Sequence, residues 1–218
     1  CQELTKLQSN CDPLPFELMR GVWVDDFGEE GVKETFVEIE HEPLGSASLA
    51  QVHKAKLASG EIVAVKIQRP GVKEVMAQDI SIIRRLAKQA SYFMVGEQML
   101  DFEEVVEELW QTFLEETDFV NEANNLEEFA RLNEKVKYIS CPKVYKELST
   151  EYVLVMEYIE GIPIGDIPAL KKAGYDLKEI GEKILDNYAS QIIDDGFFHA
   201  DPHAGNIIIR DGKNVYID

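Results

Sequence analysis

The sequence predicts an α+β chain: a small antiparallel sheet with inserted helices, followed by the beginning of a mainly helical region. Three observations carry this expectation. The stretches "TFVEIE" (35–40), "LAQVHKAKL" (49–57) and "EIVAVKIQ" (61–68) are rich in β-branched residues and partly alternate in polarity. After Pro70-Gly71 the apolar period lengthens to that of a helix. Strand patterns then return between Lys143 and Gly161, ahead of a further helix.

Each element can be justified in turn. "CQELTKLQSNCDPLPFELM" has a short helical pattern that Pro13 and Pro15 interrupt, so residues 1–34 are expected to form an N-terminal extension. Ser59-Gly60 is the turn between the second and third strands. Val72, Val75, Met76, Ile80, Ile83, Leu86 and Ala87 recur at helical spacing and predict an amphipathic helix to about Phe93. Asp101, with Glu104 three residues on, is placed to cap a second helix. Its stripe is Phe102, Val105, Val106, Leu109, Trp110, Phe113 and Leu114, and its aromatics are assigned to the core rather than to a cofactor. "KVYKEL" and "EYVLVMEYIEG" read as strands joined at Ser149-Thr150. "LKEIGEKILDNYASQIIDDG" reads as a helix that stops at Gly196. "NIIIR", a turn at Asp211-Gly212, and "NVYID" follow as a hairpin. The expected organisation is an extension over 1–34, a sheet-based lobe with inserted helices over 35–158, and the start of a helical lobe over 159–218.

Charge narrows the partners. Against 22 basic residues stand 41 acidic ones, a net charge of -19, so nucleic acid and anionic lipid surfaces should repel the chain. Cys1, Cys11 and Cys141 are scattered and odd in number, which fits neither a disulfide framework nor a zinc ribbon and suggests a reducing compartment. The sequence shows no signal peptide, and no apolar run approaches the ~20 residues of a spanning helix. It opens without Met and stops within a strand pattern, so a fragment cut at both ends is expected.

The chemistry concentrates in "FHADPHAGNIII", Phe198 to Ile209. His199, Asp201 and His203 have the composition of a metal site, but the remaining histidines, His41 and His53, fall in the first sheet. The same histidines could simply hold a turn. A phosphoryl-transfer reading accounts for more of the sequence. Asp201 and Asn206 have the Asp-x4-Asn spacing of a kinase catalytic loop, in which a carboxylate orients the acceptor hydroxyl and an amide oxygen reaches magnesium. Asp218 ends an apolar strand where a second magnesium carboxylate would stand. Upstream, "VAVK" ends on Lys66, the place of the lysine that pairs with nucleotide phosphates. "GSASLAQV", Gly45 to Val52, has the spacing of a phosphate loop, with Ala47 and Ala50 at the positions of its later glycines and Ser48 between them. Loop, lysine, Asp-x4-Asn and terminal Asp occur in the order a kinase needs.

With "LGSASLAQVHKA", "VAVKIQRPGV", "ETDFVNEANN" and "FHADPHAGN" together, the chain resembles the UbiB family, the aarF-domain atypical kinases, over nearly its whole length. The resemblance implies a protein-kinase-like fold whose helical lobe is incomplete here. It also implies ATP or ADP with magnesium as cofactors. By position, Lys66 would hold the phosphates, Glu122 would be its ion-pair partner, and Glu116 with Asp118 would be the family's Glu-x-Asp pair. Asp201 would be the catalytic carboxylate, with Asn206 and Asp218 the magnesium ligands. The implied activity is phosphoryl transfer or ATP hydrolysis supporting isoprenoid-quinone (ubiquinone) biosynthesis, with a small-molecule or lipid-linked acceptor such as a quinone precursor. Quinone-biosynthesis proteins are the implied partners. The location would be cytoplasmic, peripheral or anchored at a membrane through parts outside these residues. An ATP-binding scaffold without transfer, and more remotely a metal-dependent hydrolase, are the alternatives. Two departures stand out: Ala204 replaces the family's usual proline, and the N-terminal Lys-x-Gly-Gln motif is absent. Because Ala47 and Ala50 carry a Cβ that glycine lacks, slow ATP hydrolysis and poor transfer to proteins are expected, and Ala47→Gly should change nucleotide affinity or turnover.

Overall fold

In the computed structural model, residues 11–93, 102–198, 204–211 and 213–216 are described. The chain divides into two compact units, residues 1–121 with 148–154, and residues 122–147 with 155–218.

The first unit is built on a sheet in the order β1-β3-β4-β6, with β1, β2 and β4 each antiparallel to β3: β1 is Phe36–Ile39, β2 Gly45–Ser46, β3 Ala50–Leu57, β4 Ile62–Gln68 and β6 Val153–Glu157, of which Val153 and Leu154 belong to this unit. The expected turn joins β3 to β4, and Gly60 takes φ 104 there, a conformation that explains why the position is glycine. Gln51, His53, Ala55 and Leu57 of β3 and Val63, Val65 and Ile67 of β4 are buried on one face. Val52 and Lys54 of β3, with Lys66 of β4, lie on the other, half-buried face.

Helix α1, Phe16–Thr35, packs against β1 and β4, burying Met19, Trp23 and Val32, with the Trp23 ring edge-on to Phe36 at 4.4 Å. Periodicity did not reveal this helix within the N-terminal 34 residues. The reason is local: Gly28 at φ 73 breaks it into two helical pieces, and Asp25, Asp26, Glu29 and Glu30 interrupt the apolar stripe. The two predicted helices form as α2, Val72–Phe93, and α3, Phe102–Glu116, and pack on one another through Ile80, Ala87 and Val106. The proposed cap Asp101 lies outside the described residues.

The second unit contains most of α4, Phe119–Leu132, and a four-stranded sheet in the order β5-β9-β8-β7: β5 Ile139–Ser140, β7 Ile162–Pro163, β8 Ile207–Arg210 and β9 Lys213–Tyr216. Helices α5, Ile167–Lys172, and α6, Leu177–Ser190, complete it. "KVYKEL" forms a single bridge, Val144 to Met156, and a 3-10 turn over Lys146–Leu148 in place of the expected strand. The Asp-Gly hairpin forms as read, with Asp211 at φ 49 and Ile208 opposite Val215. Gly196 ends the long helical run at φ 64 after one π-helical turn, Gln191–Asp195.

Phe129, Ile139, Leu170, Ile180, Ile207, Ile209 and Tyr216 form the core of this unit. A ladder of buried amides crosses it. Gln191 Nε2 donates to Asn187 Oδ1 (2.6 Å), Asn187 Nδ2 to Asn133 Oδ1 (2.7 Å), and Asn133 Nδ2 to the Phe129 carbonyl (3.0 Å). At Gly161 a Cβ would meet Ile208 Cγ2 at 2.4 Å and the Ile209 carbonyl oxygen at 2.7 Å, so the approach of this segment to β8 requires glycine.

Candidate nucleotide site

The predicted phosphate loop folds as a tight hairpin. Gly45 stands opposite Val52 and Ser46 opposite Gln51, and Ala47 N–H donates to the Ala50 carbonyl at 2.9 Å. Val52 in turn stands opposite Lys66. Directly opposed residues on antiparallel strands project to the same face. Gly45, Val52 and Lys66 therefore form one row across three strands, on the half-buried side of the sheet.

Ala47 and Ser48 are exposed at the tip, whereas Ala50 is only 4% exposed and commits its methyl group to packing. None of residues 45–52 has a positive φ. The alanines therefore lose nothing through glycine's wider φ range in this hairpin, and the difference between alanine and glycine here reduces to the bulk of the Cβ. At Gly45 that bulk would meet nothing within 4 Å, so protein packing does not explain the residue.

Two neighbours of Lys66 that the sequence reading gave no role make long-range bonds, Arg69 to the hairpin and Gln68 to the break between the later helices. Arg69 N–H donates to the Leu49 carbonyl (2.8 Å), and its Nη2 donates to Ser46 Oγ (2.7 Å) and to the Asp12 carbonyl (2.8 Å). Its Nε is buried with no acceptor among the described residues. Gln68, 3% exposed, donates from Nε2 to the Thr117 carbonyl at 2.7 Å. These are the Gln and Arg of "QRP", a motif that could have flagged them. The segment before α1 also runs along the hairpin: Cys11 N–H donates to the Ser46 carbonyl, and Leu14 N–H to Gln51 Oε1.

Gln51 and His53 are fully buried beneath this segment. His53 Nδ1 lies 3.0 Å from the Glu40 carbonyl, so it carries the proton, and Nε2 is left to accept from Gln51 Nε2 at 3.4 Å. Burial holds the His53 pKa below the usual histidine range, His41 adds to the effect, and the Glu40 carbonyl opposes it.

The Lys66 ammonium lies over the Phe119 ring, 5.3 Å from its centroid, in a cation-π contact. Phe119 belongs to the quoted "ETDF" stretch but was not singled out. That stretch is where the helices break. Glu116 ends α3 and Asp118 sits between α3 and α4, its Oδ1 accepting from Val120 N–H at 2.9 Å as an N-terminal cap. Asp118 thus precedes α4, and Glu122 lies in its first turn. Lys66 belongs to the first unit and Glu122 to the second.

In the second unit Asn206, 8% exposed, directly precedes β8. His199, Asp201, His203 and Asp218 lie outside the described residues. Among the described residues no group of three or more His, Cys, Asp or Glu side chains gathers as a metal site would need. None of their helices is long and apolar enough to cross a membrane.

Residues 6–218 match the ABC1 atypical kinase-like domain. The chain is 37% identical to the probable protein kinase UbiB of Marinobacter nauticus, covering all of this chain and 40% of that protein. It is 40% identical over 198 residues to AarF domain-containing protein kinase 1 of Gallus gallus, covering 88% of this chain and 37% of that protein. An uncharacterised protein of the hydrogenase 1 5' region of Clostridium pasteurianum is 42% identical, with 41% of its length covered. The chain thus spans about two-fifths of these curated relatives. The solved structure of Rv3197 with erythromycin, from Mycobacterium tuberculosis, superposes with a TM-score of 0.78 at 30% identity, over all of this chain and 53% of that one. The fold is kinase-like, and the chain belongs to the ABC1 (UbiB/AarF) atypical kinase-like family.

Proposed function

We propose that this chain is the nucleotide-binding part of an ATP-dependent phosphotransferase or ATPase. The observation that carries the reading is the row Gly45, Val52 and Lys66 across β2, β3 and β4. It sets a cation in line with the hairpin whose spacing fits a phosphate loop. The open space at the Gly45 Cβ position suits an anionic ligand there.

In this reading Lys66 pairs with the nucleotide phosphates and Glu122 holds Lys66 in place, with Glu116 and Asp118 as accessory acidic groups. Phe119 limits the positions the Lys66 ammonium can take. Asp201 orients and accepts the proton of the attacking hydroxyl or water. Asn206 and Asp218 would hold magnesium, and Asn206 fits the task as a buried amide whose oxygen suits a hard cation. Magnesium, when bound, neutralises charge on the phosphates.

The acceptor class, a small molecule or a quinone precursor at a membrane, follows from the resemblance to the UbiB family. The test is binding of magnesium-ATP to the full-length protein, followed by thermal shift and by turnover. Saturating ligand at ~100 times its Kd should add about 2.7 kcal/mol of stability. Lys66→Ala should abolish that shift in a protein that remains folded, and an unchanged shift would refute the site. Asp201→Asn should keep binding and lose turnover. Full cellular function in that variant would instead identify an ATP-binding scaffold.

A further inference from the structure

The segment before α1 is bonded to both arms of the candidate phosphate hairpin. Cys11 N–H donates to the Ser46 carbonyl of β2 at 3.2 Å, and Leu14 N–H donates to Gln51 Oε1 on β3. Gln51 Nε2 in turn donates to the Leu14 carbonyl at 3.4 Å, so one side-chain amide pairs with both polar groups of the Leu14 backbone. Ser46 and Gln51 stand opposite each other in the hairpin. Flanked by Pro13 and Pro15, which lack an N–H, Leu14 has no neighbour that could take over its bond.

His53 completes the hydrogen bonding of that amide. With its proton on Nδ1, toward the Glu40 carbonyl, His53 offers the Nε2 lone pair to Gln51 Nε2. The two Nε2 hydrogens of Gln51 therefore go to Leu14 and His53, while its oxygen accepts from Leu14. Both side chains are fully buried, so a mispaired donor between them is costly. A proton added at His53 Nε2 aims a donor at a donor. Turning the Gln51 amide over would offer its oxygen to the imidazolium, but would set Nε2 against Leu14 N–H and Oε1 against the Leu14 carbonyl. Neither arrangement keeps the pairing whole.

We infer that His53 is a positioning residue: acting through Gln51, and only in its neutral form, it holds the segment before α1 on both arms of the hairpin. The groups around it favour that form. α1 presents the Phe16 ring, edge-on to His53 at 5.2 Å and stacked on His41 at 4.2 Å. β4 presents Val65, directly opposite. Glu40 turns its carboxylate to Lys54, and the segment itself brings Asp12, whose carbonyl accepts from Arg69. Burial, and after it the charge of His41, disfavour the imidazolium, against the Glu40 carbonyl. The segment is thus held at neutral pH and released toward acid. On the proposed nucleotide reading, release removes a brace from the hairpin and weakens magnesium-ATP binding.

The experiment is hydrogen exchange of the full-length protein by peptide mass spectrometry, between about pH 7.5 and 5, with the intrinsic rates divided out. Wild-type peptides covering Cys11 to Phe16 should lose protection about fivefold or more toward acid, since two hydrogen bonds go, while β4 keeps its own. His53→Gln supplies an acceptor that does not titrate and should stay protected throughout. Gln51→Leu should be unprotected at every pH. Wild-type protection indifferent to pH, or lost equally in His53→Gln, would overturn the inference. Titration of magnesium-ATP separates it from the nucleotide reading, with His53→Gln cancelling the ligand's own protonation. The Kd should rise further toward acid in the wild type than in that variant, and equal rises would overturn the positioning role. The exchange pattern in a protein that binds no nucleotide would refute the nucleotide site and uphold the role of His53 in holding the segment.

Discussion

Replacing Asn187 by alanine cuts the buried amide ladder of the second unit at its middle rung. Asn187 is 3% exposed and serves both neighbours, donating to Asn133 Oδ1 and accepting from Gln191 Nε2. The truncation therefore deprives two buried polar atoms of these partners, at about 1–3 kcal/mol each. Alanine's better helix propensity returns at most ~0.7 kcal/mol. The net loss should be about 1–5 kcal/mol, with a fall in Tm of roughly 2–4 °C per kcal/mol for a chain of this size. Hydrogen exchange read by peptide mass spectrometry assigns the loss to α4 and α6 rather than to the first sheet. A double-mutant cycle with Asn133→Ala sharpens the test. Once Asn133 Oδ1 is gone, cutting Asn187 strands one atom fewer, so the double variant should be more stable than the sum of the single losses by about 1 kcal/mol. Single losses under ~0.5 kcal/mol, or strict additivity, would refute the ladder as a cooperative unit.

Two further outcomes follow from the structure. His53 is neutral in the fold and its pKa lies below the ordinary 6.5, so the unfolded chain binds the extra proton as pH falls through that value. Its contribution is intact above pH 6.5 and is lost toward acid, and His53→Gln should flatten the stability profile between about pH 7 and 5; identical profiles for both proteins would exclude His53 as the cause. Gly161→Ala should cost roughly 1–3 kcal/mol, because its methyl group meets the Ile209 carbonyl as well as a movable side chain, and denaturant midpoints equal to wild type would refute the required close approach.

The sheet and the paired helices were legible because their signals are local. β-branched runs around Ser59-Gly60 and a 3.6-residue period from Val72 each need only a few consecutive residues. Helix α1 was illegible because its burial is carried by Met19, Trp23 and Val32 alone, split by a glycine at positive φ. The break between α3 and α4 escaped for a different reason. Nothing in the order of residues at "ETDF" announces that Asp118 will cap a new helix, or that Gln68, 49 positions upstream, will bond the carbonyl beside it. Long-range hydrogen bonds leave no periodic trace in a sequence.

The same distinction separates the two kinds of site residue. Lys66 and Asn206 were singled out by spacing, because the phosphate and metal chemistry proposed for them demands particular groups at particular intervals. Arg69, Gln68 and Phe119 were not, because bracing a hairpin, fixing a helix break and offering a ring face can each be done by many residue types. Once the structure gives their partners, their roles become specific. The hairpin does not use glycine's conformational freedom, since no residue from 45 to 52 has a positive φ. Its shape is instead held from outside, by Arg69 at Ser46 and Leu49 and by Gln51 against the segment before α1. A hairpin braced in this way can carry alanine at 47 and 50 without losing its fold. Under the proposed nucleotide site, what the substitution changes is how closely a phosphate can approach the backbone, and that distance, rather than flexibility, is what Ala47→Gly would alter.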